Sequence, residues 1–222
     1  MSILPAAQAL VDTRREYGHL FSIYVPIAIG VFALIATVTL VASLVFSRRQ
    51  PEQAARWYEH NVLEGGYATL LTLIVAFLLY LTFPAEHRVD TVANRQRPAL
   101  TLDVTASKWE WQFTYRDYGF SVRSGTVGRQ PLVVPVDEPV RFNLNSLDVI
   151  HAMWVPHLRF KHDVIPGSTQ VSTLTFGQRG VFDGECAEFC GLRHSDMLFT
   201  VHVVDPGAFR AWAAAGGEGR AP

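Results

Sequence analysis

Cysteine is scarce in this chain of 222 residues, which has only Cys186 and Cys190. Two cysteines exclude a framework of several disulfides. They also leave no Cys-X-X-Cys-His segment, so no covalently attached haem is expected. Basic residues are not in excess either, because 19 Lys and Arg stand against 20 Asp and Glu, for a formal net charge of −1. This balance does not suggest a nucleic-acid partner, and none is expected.

Charge is missing altogether from two long stretches. Residues 20–47 and 65–84 contain no Asp, Glu, Lys or Arg over 28 and 20 positions. Both exceed the roughly 18 apolar residues that indicate a membrane span. Spans are therefore predicted at 20–47 and 64–84, with Pro26 and Gly30 tolerated because neighbouring helices satisfy the backbone. A buried helical hairpin of a soluble protein is the alternative.

The segments around the spans are assigned separately. Residues 1–19 form an N-terminal segment without the basic start of a secretory signal, so the first span is expected to direct export itself. Residues 48–63 form a loop, and residues 85–98 form a linker. Two crossings put both ends of the chain on one side of the membrane. Arginines lie on both sides of the spans, so charge does not settle which side that is.

Beyond residue 98 the apolar residues alternate in short runs. Such runs, separated by turn residues, predict an all-β sandwich or barrel over residues 99–205. The predicted strands are 100–115, 120–127, 131–135, 140–147, 170–176 and 198–204. Residues 206–222 are predicted to begin as a short helix and to end in a disordered tail rich in Ala and Gly.

The two cysteines share one short segment with other soft donors. It reads Cys186-Ala-Glu-Phe-Cys190-Gly-Leu-Arg-His194-Ser-Asp-Met197. Thiolate, thioether and imidazole together favour copper over hard cations. A second imidazole is expected from elsewhere, and His151 follows an apolar, strand-like run. The alternatives are a disulfide between the cysteines and a tetrahedral zinc site, although zinc has no use for Met197.

This segment resembles the binuclear copper loop of subunit II of haem-copper cytochrome c oxidases, and the similarity extends from the first span to Val204. The resemblance implies a two-helix transmembrane hairpin followed by a cupredoxin-like Greek-key sandwich or barrel. It also implies that both cysteines bridge two coppers, that each copper takes one histidine, and that a methionine and a backbone carbonyl are weak axial ligands. The implied ligands are His151, Cys186, Glu188 through its carbonyl, Cys190, His194 and Met197.

The resemblance also assigns a role to Trp109, the first aromatic residue of Trp109-Glu-Trp111-Gln-Phe113-Thr-Tyr115. In the family, the tryptophan at this place is where electrons from cytochrome c enter. Alternation puts the four aromatic residues on one face of a predicted strand, and packing in the core is the alternative reading of that face.

Four acidic residues carry further expectations. The side chain of Glu188 is expected to help bind magnesium at the boundary with subunit I, together with ligands from the partner. Glu64 begins the second span, where the family has a glutamate near the mouth of a proton pathway, and placement at the interface is the alternative. Asp148 and Asp163 are candidates for docking a basic cytochrome c, with ordinary solvated surface charge as the alternative.

These assignments predict an oxidoreductase subunit that is not catalytic alone. It would accept electrons from cytochrome c and pass them to haem in subunit I, where dioxygen is reduced to water and protons are pumped. The expected partners are subunit I, the other oxidase subunits, cytochrome c and membrane lipid. The expected location is the bacterial plasma membrane, with the copper domain outside as the resemblance implies. The alternatives are the copper-bearing subunit of a nitric oxide reductase and a copper-carrying assembly factor.

Overall fold

A computed structural model describes residues 13–47, 60–219 and 221–222 of the chain. The described residues divide into two compact units, one formed by residues 17–47 and 60–85 and the other by residues 13–16 together with 86–219 and 221–222. The first unit is helical and the second is built from β-strands.

Two long helices form the described part of the first unit. Helix α1 spans Thr13–Phe46 and helix α2 spans Asn61–Glu86. Both are long and apolar enough to cross a membrane, and large apolar side chains such as Phe32 are exposed on them. The Tyr24 hydroxyl donates a hydrogen bond to the Leu78 carbonyl at 2.9 Å, which joins the two helices. The predicted pair of long apolar helices is confirmed.

Helical structure continues beyond α2 into the predicted linker at 85–98. A π-helical stretch spans His87–Val92, and a short helix α3 spans Ala93–Arg95. The side-chain amide of Asn94 donates a hydrogen bond to the Val171 carbonyl at 3.1 Å. Most of the predicted linker is therefore helical, and this hydrogen bond joins it to the strand that contains Val171. The bond connects residues far apart in the sequence, so no local pattern predicts it.

Ten strands in the described residues form two five-stranded sheets. The first sheet has the order β3-β2-β1-β5-β8 and the second has the order β4-β10-β9-β6-β7. Strands β1 and β5 run parallel, as do β4 and β10, and the other neighbours run antiparallel. The strands are β1 Leu100–Ser107, β2 Glu110–Tyr115, β3 Phe120–Gly125, β4 Leu132–Pro135, β5 Pro139–Ser146, β6 His151–Val155, β7 Phe160–Val164, β8 Gln170–Thr175, β9 Gly180–Cys186 and β10 Leu198–Val204.

The two sheets pack face to face over one hydrophobic core. Alternation places every second residue of β1 and β2 inside, as a strand with one buried face requires. Trp111, Phe113 and Tyr115 of the first sheet are fully buried. The Phe113 ring contacts that of Phe199 from the second sheet, with centroids 5.6 Å apart. The predicted β-sandwich is confirmed.

The predicted single strand at 100–115 is wrong, because the chain turns at Lys108 and Trp109 to form β1 and β2. The Lys108 N–H donates to Oδ2 of Asp148 at 2.8 Å, so a residue far along the chain holds this turn. No Gly or Pro marks it in the sequence. Trp109 therefore lies in a turn and not on the predicted strand, although its partly buried side chain packs against the same core. Three strands, β6, β7 and β9, were also not predicted, because their residues do not alternate cleanly.

The C-terminal segment packs against the sandwich. Helix α4 spans Pro206–Ala214, as predicted, and its Phe209 and Trp212 are buried. Beyond the helix, Gly217 lies against the Phe120 ring so closely that a Cβ there would be 2.4 Å from a ring carbon. Gly217 is therefore buried, whereas the residues directly on either side of it in the tail are exposed, and the predicted disorder of the tail stays a prediction.

Candidate metal centre

Strand pairing brings the separate parts of the site together. Strand β9 ends at Cys186, and the loop that follows it leads to β10 at Leu198. Cys186 pairs with Met153 of β6, and β6 begins with His151. His151 therefore reaches the loop although it lies 35 residues before Cys186 in sequence.

The first half of the site surrounds Cys186. Its Sγ lies 3.7 Å from Nδ1 of His151 and 3.3 Å from the carbonyl oxygen of Glu188. The Sγ of Cys190 is 3.8 Å away. His151 is fully buried, and both cysteines are nearly so. One imidazole and one carbonyl oxygen thus lie beside the first thiol.

The second half surrounds Cys190. Its Sγ lies 3.5 Å from Nδ1 of His194 and 3.9 Å from Sδ of Met197. Met197 is fully buried, whereas His194 is partly exposed. Each half therefore offers one imidazole and one weak donor, with the two thiols between them.

This geometry discriminates among the alternatives. Cys186 and Cys190 are free thiols, and their separation of 3.8 Å exceeds the bond length of about 2.05 Å in a disulfide. Two thiolates and two imidazoles would suit tetrahedral zinc. The thioether of Met197 and the carbonyl of Glu188 add two donors for which such a zinc site has no use.

The two thiols ionise differently. Burial raises the pKa of Cys186, but hydrogen bonds, above all with His151, outweigh it and lower the pKa to about 7. Burial and the negative charge of Cys186 raise the pKa of Cys190. One thiolate is therefore available near neutral pH, and the second requires a compensating cation such as a bound metal.

Asp148 lies against His151. Its Oδ1 is 2.9 Å from Nε2 of His151 and accepts the Val149 N–H at 2.7 Å, while Oδ2 accepts the Lys108 N–H. Burial raises the pKa of the Asp148 carboxyl, but these hydrogen bonds outweigh it and lower the pKa. An imidazole that donates Nε2–H to a carboxylate keeps Nδ1 for a metal, the usual arrangement around a metal-binding histidine. A docking role for Asp148 stays a prediction.

The other predicted acidic residues have partners of their own. Oε1 of Glu188 accepts a hydrogen bond from Nζ of Lys161 at 2.9 Å, and Asp163 lies 3.9 Å from the same ammonium. Glu64 lies in the first turn of α2, where it accepts the His60 N–H at 3.4 Å. The magnesium, docking and proton-pathway roles of these residues stay predictions.

Trp109 lies in the turn between β1 and β2, beside the metal loop. A Cβ added to Gly191 would lie 3.5 Å from Cζ2 of the indole, and Gly191 directly follows Cys190. The Trp109 carbonyl accepts the Thr126 N–H at 3.1 Å, which holds the turn. The indole of Trp109 therefore lies close to the loop, with room for little more than one methyl group between the ring and Gly191.

Sequence reasoning missed three contacts of the site. The Trp111 indole donates to the Met197 carbonyl at 3.3 Å, Lys161 binds Glu188, and Asp148 binds His151. Only the last had a local signal, because Asp148 stands three residues before His151.

A β-sandwich with thiol, imidazole and thioether donors before its last strand defines a cupredoxin-like metalloprotein domain, here attached to two apolar helices. Residues 123–204 match the family described as cytochrome c oxidase subunit II, periplasmic domain. The chain belongs to the cytochrome c oxidase subunit II family, as the following relatives show.

Two relatives are each called probable cytochrome c oxidase subunit 2. The one from Streptomyces coelicolor is 31% identical over 220 residues, which cover 78% of this chain and 68% of the relative. The one from Rickettsia bellii is 27% identical over 229 residues, which cover 96% of this chain and 83% of the relative.

A solved structure supports the fold. The crystal structure of the periplasmic domain of subunit II of cytochrome oxidase (CoxB) of Bradyrhizobium japonicum is similar with a TM-score of 0.52 at 29% identity. The match covers 55% of this chain and 96% of that chain. The predicted family and the predicted cupredoxin-like fold are confirmed.

Proposed function

We propose that this chain receives electrons from cytochrome c at a binuclear copper centre. It passes them to haem in subunit I, where dioxygen is reduced to water and protons are pumped. The observation that carries the proposal is the division of six donors into two halves that share the thiols of Cys186 and Cys190.

Six donors would hold the metal in this proposal. They are the thiols of Cys186 and Cys190, the imidazoles of His151 and His194, the thioether of Met197 and the carbonyl of Glu188. When bound, the copper pair would supply a one-electron carrier. Burial keeps water away from most of these donors, and Asp148 holds the ring of His151, so little would have to move when the metal changes its oxidation state.

Trp109 provides the route from the donor protein in this proposal. Its indole lies beside Gly191, the neighbour of Cys190, close enough that an added Cβ would be 3.5 Å from the ring, so an electron on the ring would be close to the metal loop. The β-domain would face outward from a bacterial plasma membrane that the two helices anchor. Glu188 would contribute to a magnesium site with subunit I, and Glu64 would lie near the mouth of a proton pathway.

Copper loading of the full chain in detergent tests the metal centre. A purple protein whose electron paramagnetic resonance spectrum has one electron shared equally by two copper nuclei is the expected result. A colourless protein that takes up zinc in preference, or a Cys186–Cys190 disulfide that persists during loading, would overturn the proposal.

Substituting Trp109 tests the route of the electron. Trp109→Phe should leave the copper spectrum unchanged and slow reduction by cytochrome c by about ten-fold or more, roughly 1.4 kcal/mol of activation free energy. Trp212→Phe makes the same chemical change in the buried C-terminal helix and should leave the rate unchanged. Equal rates for the two variants would remove Trp109 from the route.

A further inference from the structure

Trp111 connects the first sheet to the metal loop of the second. It lies in β2, paired with Ala106 of β1 and Ser124 of β3, and it is fully buried. Its side chain crosses the core and reaches the end of the loop at Met197. One side chain of the opposite sheet therefore contacts the loop from inside the protein.

The contact with Met197 is a hydrogen bond. Nε1 of Trp111 donates to the Met197 carbonyl at 3.3 Å, and the N–H of Cys186 donates to the same oxygen at 3.1 Å. The Met197 N–H in turn donates to the His194 carbonyl at 3.3 Å. Both the carbonyl and the N–H of Met197 therefore take part in hydrogen bonds within or next to the loop.

The same indole also packs beside the other half of the site. The rings of Trp111 and His151 meet edge to face, with centroids 6.1 Å apart and planes at 64°. The ring of Phe199 closes another side, with its centroid 5.6 Å from that of Trp111. Trp111 therefore contacts Met197 of one half and His151 of the other, and its side chain is fully buried among them.

Other buried indoles of this domain lack such a bond. Nε1 of Trp109 and Nε1 of Trp212 are buried and have no hydrogen-bond partner among the described residues. A tryptophan can therefore be buried here without a partner for its N–H. The bond from Trp111 to Met197 is a particular feature of the metal loop, and Trp212 offers a matched control.

We propose that Trp111 is a positioning residue of the metal centre, which fixes Met197 through its indole N–H and confines His151 through its ring. This rests on the proposed function, because it assumes that both residues hold copper. A weak axial donor tunes the reduction potential of a thiolate-bound copper centre. Without the indole donor, the Met197 backbone is less restrained. Its thioether then donates less to the oxidised centre, and the potential rises.

The test compares Trp111→Phe with Trp212→Phe in the copper-loaded full chain. Trp111→Phe should raise the reduction potential and broaden the copper hyperfine structure of the resonance spectrum. Trp212→Phe should leave both unchanged, although it loses a similar buried ring. Thermal unfolding of both variants shows whether lost packing alone explains a change. A potential for Trp111→Phe that equals the wild-type value, or lies below it, overturns the assignment.

A second variant covers a failure of Trp111→Phe to fold. Replacing Trp111 with benzothienylalanine keeps the size of the fused ring and substitutes sulfur for the N–H group. It should raise the potential in the same direction, and an unchanged potential overturns the role of the N–H. A wild-type chain that forms no copper pair overturns the proposed function and this assignment together, whereas a purple wild type with unchanged variants overturns the assignment alone.

Discussion

Gly184 of β9 lies opposite Phe199 of β10, and the phenyl ring covers the glycine. A Cβ on Gly184 would be 2.3 Å from Cζ of that ring, far inside van der Waals contact. The ring cannot retreat, because it is only 4% exposed and packs against Trp111 and Phe113 with centroids 5.6 Å apart in each pair. Gly184→Ala is therefore an overpacking substitution, which should lower the free energy of unfolding by about 1–3 kcal/mol.

Gly207→Ala is the matched control, because it adds the same methyl group in helix α4 where no described atom lies within 4 Å of the new Cβ. This variant should gain about 0.4–1 kcal/mol, since alanine restricts the unfolded chain. Urea unfolding of the full chain in detergent, followed by tryptophan fluorescence, measures both values. The packing argument is refuted if Gly184→Ala is as stable as the wild type or changes stability in the same direction as Gly207→Ala.

Three further outcomes are expected. Asp148→Asn should weaken copper binding by about 10–100-fold, since it loosens the hold on His151. Asp163→Asn, whose side chain is 53% exposed, should not, and competition with a chelator measures both affinities. Because Asp148 and Asp163 are the candidates for docking a basic cytochrome c, raising salt from about 10 mM to about 300 mM should slow electron transfer from cytochrome c, and a stopped-flow rate that does not change would contradict docking by these carboxylates. Chelation of copper should lower the melting temperature, because the metal binds the folded chain, and an unchanged calorimetric transition would contradict this.

The donors of the metal centre could be predicted from sequence because most of them are local. Cys186, Cys190, His194 and Met197 stand within twelve consecutive residues. Side chains that stand so near one another in the sequence lie close together in the structure, because the loop that carries them is short. The two long apolar helices were predictable for a similar reason, since each is a continuous stretch of the chain.

Contacts between distant residues could not be predicted. The bond from Trp111 to Met197 joins residues 86 positions apart, and the bond from Lys108 to Asp148 joins residues 40 apart. The first brings a core tryptophan to the metal loop, and the second holds the turn that separates β1 from β2. Alternation along one strand predicts which face is buried, but it does not reveal which residue of the opposite sheet lies there.

The burial of the donors imposes an order on maturation. His151 joins the loop only after β6 has paired with β9, so an unfolded chain cannot offer the complete donor set to a metal. Once the sandwich has formed, Cys186 and Met197 are closed off inside it. In the proposed function, the metal would therefore reach the finished domain on the side of Glu188 and His194, the two partly exposed donors, where the exposed Phe189 lies next to the ring of His194.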